Sequence, residues 1–276
     1  SLTERYPLLK MPILRGVIAL YESLKIGLNA LQMSSDLSQP PTEKQASDNN
    51  QNFQTRLVSG LTLLLAMALG VGLFAYLPLL LTTRLLAIER QALAFNLVTG
   101  FWRVGFFMMY LWLISLMKDI QRVFQYHGAE HKVIYAFENG YELTLDNVRP
   151  FSTHHPRCGT SFIFIVLLVS ILLYALIDTG IMWVSGTINL QLRLIFHLLL
   201  LPIVAGIGYE FLKITSRFRK HWLARGLSAP GLWLQRITTK PPDDQQLEVS
   251  IAALKGAFGE RYAEFAGRRY SAEAVA

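Results

Sequence analysis

Four stretches of the chain are apolar for long enough to cross a bilayer, near 57–81, 101–117, 161–184 and 189–212. At about 1.5 Å of rise per residue, a helix of roughly 17–25 residues spans the hydrocarbon. Trp102, Trp112 and Trp183 fall where interface anchors belong. Pro202, Gly206 and Gly208 predict a bend or unwinding in the fourth stretch, where neighbouring helices must satisfy the freed backbone groups. The segment 82–100 reads as a short helix on the far side.

Before the first stretch, residues 13–33 alternate as an amphipathic helix. Leu14, Val17, Ile18, Tyr21, Leu24, Leu28 and Leu31 share one face, and Arg15, Glu22, Lys25, Asn29 and Gln32 the other. Such a helix lies in the interface or packs on the bundle. Residues 34–55 have almost nothing to bury and read as a flexible linker. Near the end, Leu247, Ile251, Leu254, Phe258, Tyr262 and Phe265 line one face of a helix over 246–265. Asp243 and Asp244 precede it, where acidic groups complement a helix N-terminus, so they read as a cap rather than a metal site.

The fold class predicted is mainly α: a polytopic membrane helical bundle of about four spans, with amphipathic interfacial helices and a small cytoplasmic loop containing a hairpin. Its divisions are an interfacial helix (1–33), a linker (34–55), a four-span domain (56–212) carrying a cytoplasmic loop at 118–160, and a basic segment with the amphipathic helix (213–276).

Composition supports this pattern. Of 276 residues 52% are hydrophobic and 16% charged, and the mean hydropathy is +0.34; a soluble domain carries about 25% charged residues. The formal charge of +7 shows no basic stripe interleaved with aromatics, which argues against nucleic acid as a partner and for anionic headgroups. Lys and Arg number six in 1–56, five in 118–160 and eleven from 213 onward, against Arg84, Arg90, Arg103 and Arg193 elsewhere. The positive-inside rule then puts both termini and the loop in the cytoplasm. The stretch KITSRFRKHWLARGL reads as a juxtamembrane anchor. Residues 1–12 lack an apolar core and a small-residue cleavage site, so no signal peptide is predicted. The single cysteine, Cys158, excludes an intrachain disulfide.

Two clusters carry chemistry. In HGAEH, His127 and His131 stand one helical turn apart, a spacing that grips a zinc or another divalent transition metal ion, and Glu130 is placed to polarise a metal-bound water. H-x-x-E-H is the inverted-zincin pattern. The bland alternative is a polar helix end outside a membrane. The second cluster, STHHPRCGTS, offers His154, His155 and Cys158 on a turn; a lone cysteine is as often a small buried hydrophobe. Between them FENGYELTLDNV reads as a hairpin around Asn139-Gly140. Glu210, near the cytoplasmic end of the fourth stretch, is a candidate distal ligand or supporting residue. Arg193 and His197 stand four apart near the other end; Arg193 reads as a snorkelling side chain, with Asp178 as a pairing partner.

The run MKDIQRVFQYHGAEHKVIYAFENGYELTLDNVRPFSTHHPRCGTSF resembles the core of the bacterial YqhQ-like membrane proteins. The similarity extends through LLPIVAGIGYEFLK, SAPGLWLQRITTKPPDDQQLEVSIAAL and LLKMPILRGVIALYESLKIGLNAL. It implies a metal-dependent enzyme in a family catalogued as a domain of unknown function. The family's YHGAEHK falls on Tyr126 to Lys132, and its HPRCGTSF on His155 to Phe162. The family usually has an apolar residue at the place of His154, so the resemblance favours His155 as the ligand. Its members also begin with a glycine-rich E-G-V-M-M-R-like segment, which would lie before the first residue here and would help to close the site.

Three functions fit. The first is a membrane hydrolase with His127, His131 and either His155 or Cys158 on zinc, Glu130 as general base, and a lipid headgroup or juxtamembrane peptide as substrate. The second is a structural site in which all four ligands close a tetrahedron, in a factor that assembles or scaffolds other membrane proteins. The third is an ion or proton transporter using Glu210, His197 and Arg193.

Overall fold

The computed structural model describes residues 2, 6–38, 49–156, 158–217 and 221–270. Its main helices, in chain order, are α1 (Leu14–Ser38), α2 (Asn49–Val71), α3 (Leu77–Leu86), α4 (Ala92–Ser115), α5 (Lys118–Glu138), α6 (Leu145–Val148), α7 (Gly159–Ser185), α8 (Leu190–Leu199), α9 (Leu201–Arg217), α10 (Trp222–Thr238), α11 (Asp244–Phe258) and α12 (Tyr262–Phe265). Among the described residues there is no strand, only an isolated bridge between Asn139 and Arg269.

Among the described residues, three helices are long and apolar enough to cross a membrane: Gly60–Leu86, α4 and α7; α8 with α9, bent by 52° at Leu200, makes a fourth if the pair is one span. The bend falls at the predicted place. Pro202 lacks the N–H that would bond to Leu198, two residues past the break. Upstream, α2 runs into α3 through a π turn at Gly72–Tyr76, just before Pro78, where the proline's missing donor and ring distort the preceding turn.

Three expectations need correction. Residues 82–100 are not a separate helix: 82–86 complete α3, Ala87 adopts a left-handed conformation (φ 42°), and 92–100 begin α4. The polar residues that suggested an exposed helix are bonded internally. Thr82 Oγ1 donates to the Pro78 carbonyl (2.9 Å), Thr99 Oγ1 to Thr82 Oγ1 (3.0 Å), and Asn96 Nδ2 to the Ala92 carbonyl (2.9 Å). The hairpin at 137–148 is likewise absent. Gly140 turns the chain (φ 76°) as expected, but Phe137 and Glu138 finish α5. Thr144 then caps α6, its hydroxyl accepting from the Asn147 N–H. The linker expected at 34–55 is helical at both ends, with α1 continuing to Ser38 and α2 starting at Asn49; 39–48 lie outside the described residues.

The chain divides into two units, 1–106 with 169–207, and 107–168 with 208–276. In the first, α8 and the α7 half that belongs to it bury a polar network. Arg193 Nε lies 3.3 Å from Asp178 Oδ2, an ion-pair distance without hydrogen-bond alignment, and Arg193 is 1% exposed. The pairing was expected; the snorkelling was not, because the guanidinium instead lies 3.6 Å over the Phe95 ring and donates to the Glu89 carbonyl (2.6 Å). A Cβ on Gly206 would meet the Ile13 carbonyl at 2.6 Å, so that glycine admits the start of α1.

In the second unit, α11 packs on α5 and α6. Ala129, Val133, Ala136 and Phe137 of α5 meet Leu143, Val148, Leu247 and Ile251 in one core. The Phe137 ring contacts Phe258 and Tyr270 at 5.1 and 5.3 Å. Asp243 caps α11 with a full capping box, its side chain accepting from the Gln246 N–H (2.8 Å), as its position predicted. Asp244 instead accepts two bonds from Arg149, at 3.0 and 2.7 Å.

Candidate metal centre

At 100° per residue, the core-facing positions 129, 133, 136 and 137 of α5 lie roughly opposite His127 and His131. Burying the apolar face of α5 against α11 therefore turns both imidazoles to the other side. There they meet Cys158, which lies just before α7. One ligand atom from each of His127, His131 and Cys158 lies within 4.8 Å of the other two. Cys158 Sγ is 3.2 Å from His127 Nε2, and the two imidazole rings stand 4.4 Å apart.

Both imidazoles are oriented from behind. His127 Nδ1 donates to the Thr238 carbonyl (2.8 Å) and His131 Nδ1 to the Thr153 carbonyl (2.5 Å). A carbonyl can only accept, so each Nδ1 carries a hydrogen and Nε2 is the nitrogen left for a metal. This is the outer support typical of metal-bound histidine. The carbonyls are themselves held. The Lys132 ammonium donates to the carbonyls of Arg149 and Phe151, at 2.6 and 2.5 Å, just before Thr153. The Lys240 N–H donates to the Phe124 carbonyl (2.9 Å), pinning the end of α10 along α5. Gly128 makes that approach possible: a Cβ there would stand 2.1 Å from the Lys240 carbonyl oxygen.

The electrostatics favour an ionised sulfur. Burial pushes the Cys158 thiol up, but hydrogen bonds with His127, His131 and Thr160, and the charge on His127, bring it down to about 5. Burial opposes a charged His127, yet its hydrogen bond and charge interaction with Cys158, the Thr238 carbonyl and Glu130 raise it overall. The surroundings thus favour the thiolate, the form that ligates metals.

Other predicted residues sit apart from this group of three. His155 is buried beside His131, with ring centroids 5.7 Å apart, but its Nε2 faces Glu138 Oε2 at 3.4 Å. Glu130 is exposed on α5, near enough to act on the charge of His127. His154 is half-buried, its Nε2 enclosed without a partner, and burial, His131 and Arg236 hold its pKa down. Glu210 is half-buried on α9, outside the group.

Sequence reasoning missed the supporting residues. Glu138 lies seven residues after His131, two turns along the same face, a spacing that is visible in the sequence. Gln235 on α10 is fully buried. Its Oε1 accepts from the His155 N–H (2.7 Å), and its Nε2 donates to the His155 carbonyl (2.8 Å) and Ser161 Oγ (2.7 Å). Gly231 admits this contact, since a Cβ there would meet Ser161 Cβ at 2.8 Å. No local signal in SAPGLWLQRITTK marks Gln235 or Thr238, because their partners lie 80 and 111 residues away.

The family model described as "Protein of unknown function (DUF1385)" matches residues 11–260. The chain is 34% identical over 251 residues to the "Uncharacterized protein YqhQ" of Bacillus subtilis (strain 168), covering 88% of this chain and 75% of that protein. No solved structure matches.

Proposed function

The chain belongs to the family described as a protein of unknown function, DUF1385, and on that premise we propose a membrane-bound, metal-dependent hydrolase whose ion is held by His127, His131 and Cys158. One observation carries the reading. Two imidazoles with their Nδ1 atoms committed to backbone carbonyls present Nε2 atoms beside a thiol of lowered pKa. Ligands at 2.0–2.3 Å from a tetrahedral zinc stand about 3.3–3.8 Å apart, close to the 3.2 Å between Cys158 Sγ and His127 Nε2. The mixed nitrogen and sulfur donors suit zinc over magnesium or calcium.

Three protein ligands leave a fourth position for water, the arrangement of catalytic rather than structural zinc. When bound, the ion supplies a Lewis acid that lowers the pKa of that water to about 7. Glu130 is the general base: it is exposed, next to a ligand and electrostatically coupled to His127. The thiolate offsets one of the ion's two charges. The Lys and Arg distribution supports a site at the cytoplasmic face of the membrane, so the substrate is a lipid headgroup or a peptide at the bilayer surface. A second reading keeps weight from His155, whose ring lies beside His131: as a fourth ligand it would close the shell, and the protein would act as a scaffold or assembly factor for other membrane proteins.

Metal content and X-ray absorption of the purified full chain decide between them. The hydrolase reading expects one zinc per chain with one sulfur, two imidazoles and an oxygen. Cys158→Ser lowers its affinity, and Glu130→Gln leaves metal and fold intact. Three imidazoles and one sulfur would overturn it in favour of the scaffold, and failure to bind any divalent transition metal would sink both.

A further inference from the structure

α10 turns one face inward and another outward. At 100° per residue, Trp222, Gly226, Ala229, Trp233 and Arg236 fall within an arc of about 80°. All five are exposed, Trp222 at 71% and Trp233 at 52%. A Cβ on Gly226 would meet nothing within 4 Å. Gly231, Leu234, Gln235 and Thr238 lie roughly opposite and are buried. That inner face supports the candidate metal centre: Gln235 fixes the backbone of His155, and the Thr238 carbonyl orients His127. The outer face carries two tryptophans, spaced by small residues, and ends on an arginine.

Charge and connectivity say what covers the outer face. Between Glu210 and Asp243 the sequence has seven lysines and arginines and no acidic residue. The helix follows α9, the second half of the bent candidate span, with only 218–221 between them. Its start is therefore tied to the level at which that span leaves the hydrocarbon. Tryptophan and basic side chains suit this boundary: the indole is amphipathic, and the cations meet anionic headgroups. A protein partner fits less well. Two large apolar side chains, separated by glycine and alanine, offer far less than the roughly 800 Å² per partner of a stable protein interface.

We infer that α10 lies in the membrane interface, with Trp222, Trp233 and Arg236 against an anionic lipid surface. The anchor expected over KITSRFRKHWLARGL stops at Leu227. The outward stripe carries the contact on to Arg236, along the half of the helix that supports the metal centre. α10 then stands between lipid on one side and the loop that delivers Cys158 on the other. The inference rests on the apolar helices being spans, which the hydrolase reading shares, and not on a bound metal.

The test is tryptophan fluorescence of the full chain in nanodiscs of phosphatidylglycerol and phosphatidylcholine. One variant keeps only Trp233, with Trp102, Trp112, Trp183 and Trp222 each changed to phenylalanine; a second keeps only Trp183, near the end of α7. Brominated lipid quenches an indole only on contact. Both tryptophans are expected to be quenched. Trp233 is quenched about twofold or more strongly when the bromine is on phosphatidylglycerol than when it is on phosphatidylcholine, at equal mole fraction. That ratio falls in Arg236→Gln. Quenching of Trp183 without Trp233 overturns the inference and leaves the spans standing, whereas quenching of neither overturns both. An equal response of Trp233 to the two lipids overturns the anionic contact. Where the chain with Trp233 alone fails to fold, a nitroxide on Ala229→Cys, in a Cys158→Ser background, reads the same face. Greater access to oxygen than to a water-soluble nickel chelate is expected there, and the reverse overturns the inference.

Discussion

Two residues show what chemistry asks of single positions here. Gly128, inside HGAEH, has no ligand role, yet the Lys240 carbonyl occupies the space of its missing Cβ. Gly128→Ala must push the end of α10 away and move the Thr238 carbonyl off His127. Overpacking of this kind costs about 1–3 kcal/mol. The expected outcome is a lower unfolding midpoint together with reduced zinc occupancy; normal values of both would show that the approach is not required. Cys158 and His127 set the acid and base limits of the metal-free protein. The folded thiol stands at about 5 against an ordinary 9.0, so its contribution is complete above 9.0 and is lost as pH falls through about 5. His127 is raised above 6.5, so its contribution is complete below 6.5 and is lost as pH rises through its folded pKa. Stability of the metal-free protein is therefore expected to rise with pH from about 5 to 6.5 and to level off from there to the folded pKa of His127, where the thiol's gain and the imidazole's loss offset each other. Thiolate absorbance followed against pH should rise with a midpoint near 5, and a midpoint of 8 or above would contradict the pairing.

Elements differ in how openly their sequence declares their task. α5 announces itself in part: the spacing of HGAEH puts both histidines on one face, and the structure adds the core residues on the other. α10 does not. Its basic, aromatic start reads as a membrane anchor, yet its second half holds the loop that delivers Cys158, through Gln235, and orients His127, through Thr238. Gln235→Leu leaves the His155 N–H and carbonyl without partners, about 1–3 kcal/mol for each group left unsatisfied. Zinc affinity should fall along with stability, although neither Gln235 nor His155 belongs to the group of three. Unchanged zinc affinity would reduce α10 to packing alone. The hairpin expected between the clusters failed for a related reason. Asn139-Gly140 turned the chain as predicted, but Phe137 was needed in the α11 core, which kept the preceding residues helical.

For the whole molecule, the positive-inside arrangement makes a direct prediction. In intact cells, a cysteine at Gln91, in a Cys158→Ser background, should react with a membrane-impermeant maleimide, and one at Glu142 should not. Both lie in turns outside the candidate spans, so the opposite pattern would reverse the orientation. The sequence by itself determined the apolar spans, the bend before Pro202 and the cap at Asp243, because each is written in local periodicity or short-range stereochemistry. It set the span limits only loosely, since Thr82, Asn96 and Thr99 look exposed until their hydrogen-bond partners are known. The tertiary structure alone brought Cys158 within reach of both His127 and His131, set His155 Nε2 against Glu138, and buried Arg193 beside Asp178. Those outcomes rest on distances between residues far apart in the chain, where burial makes every unpartnered polar atom costly and so selects one arrangement among several with the same composition.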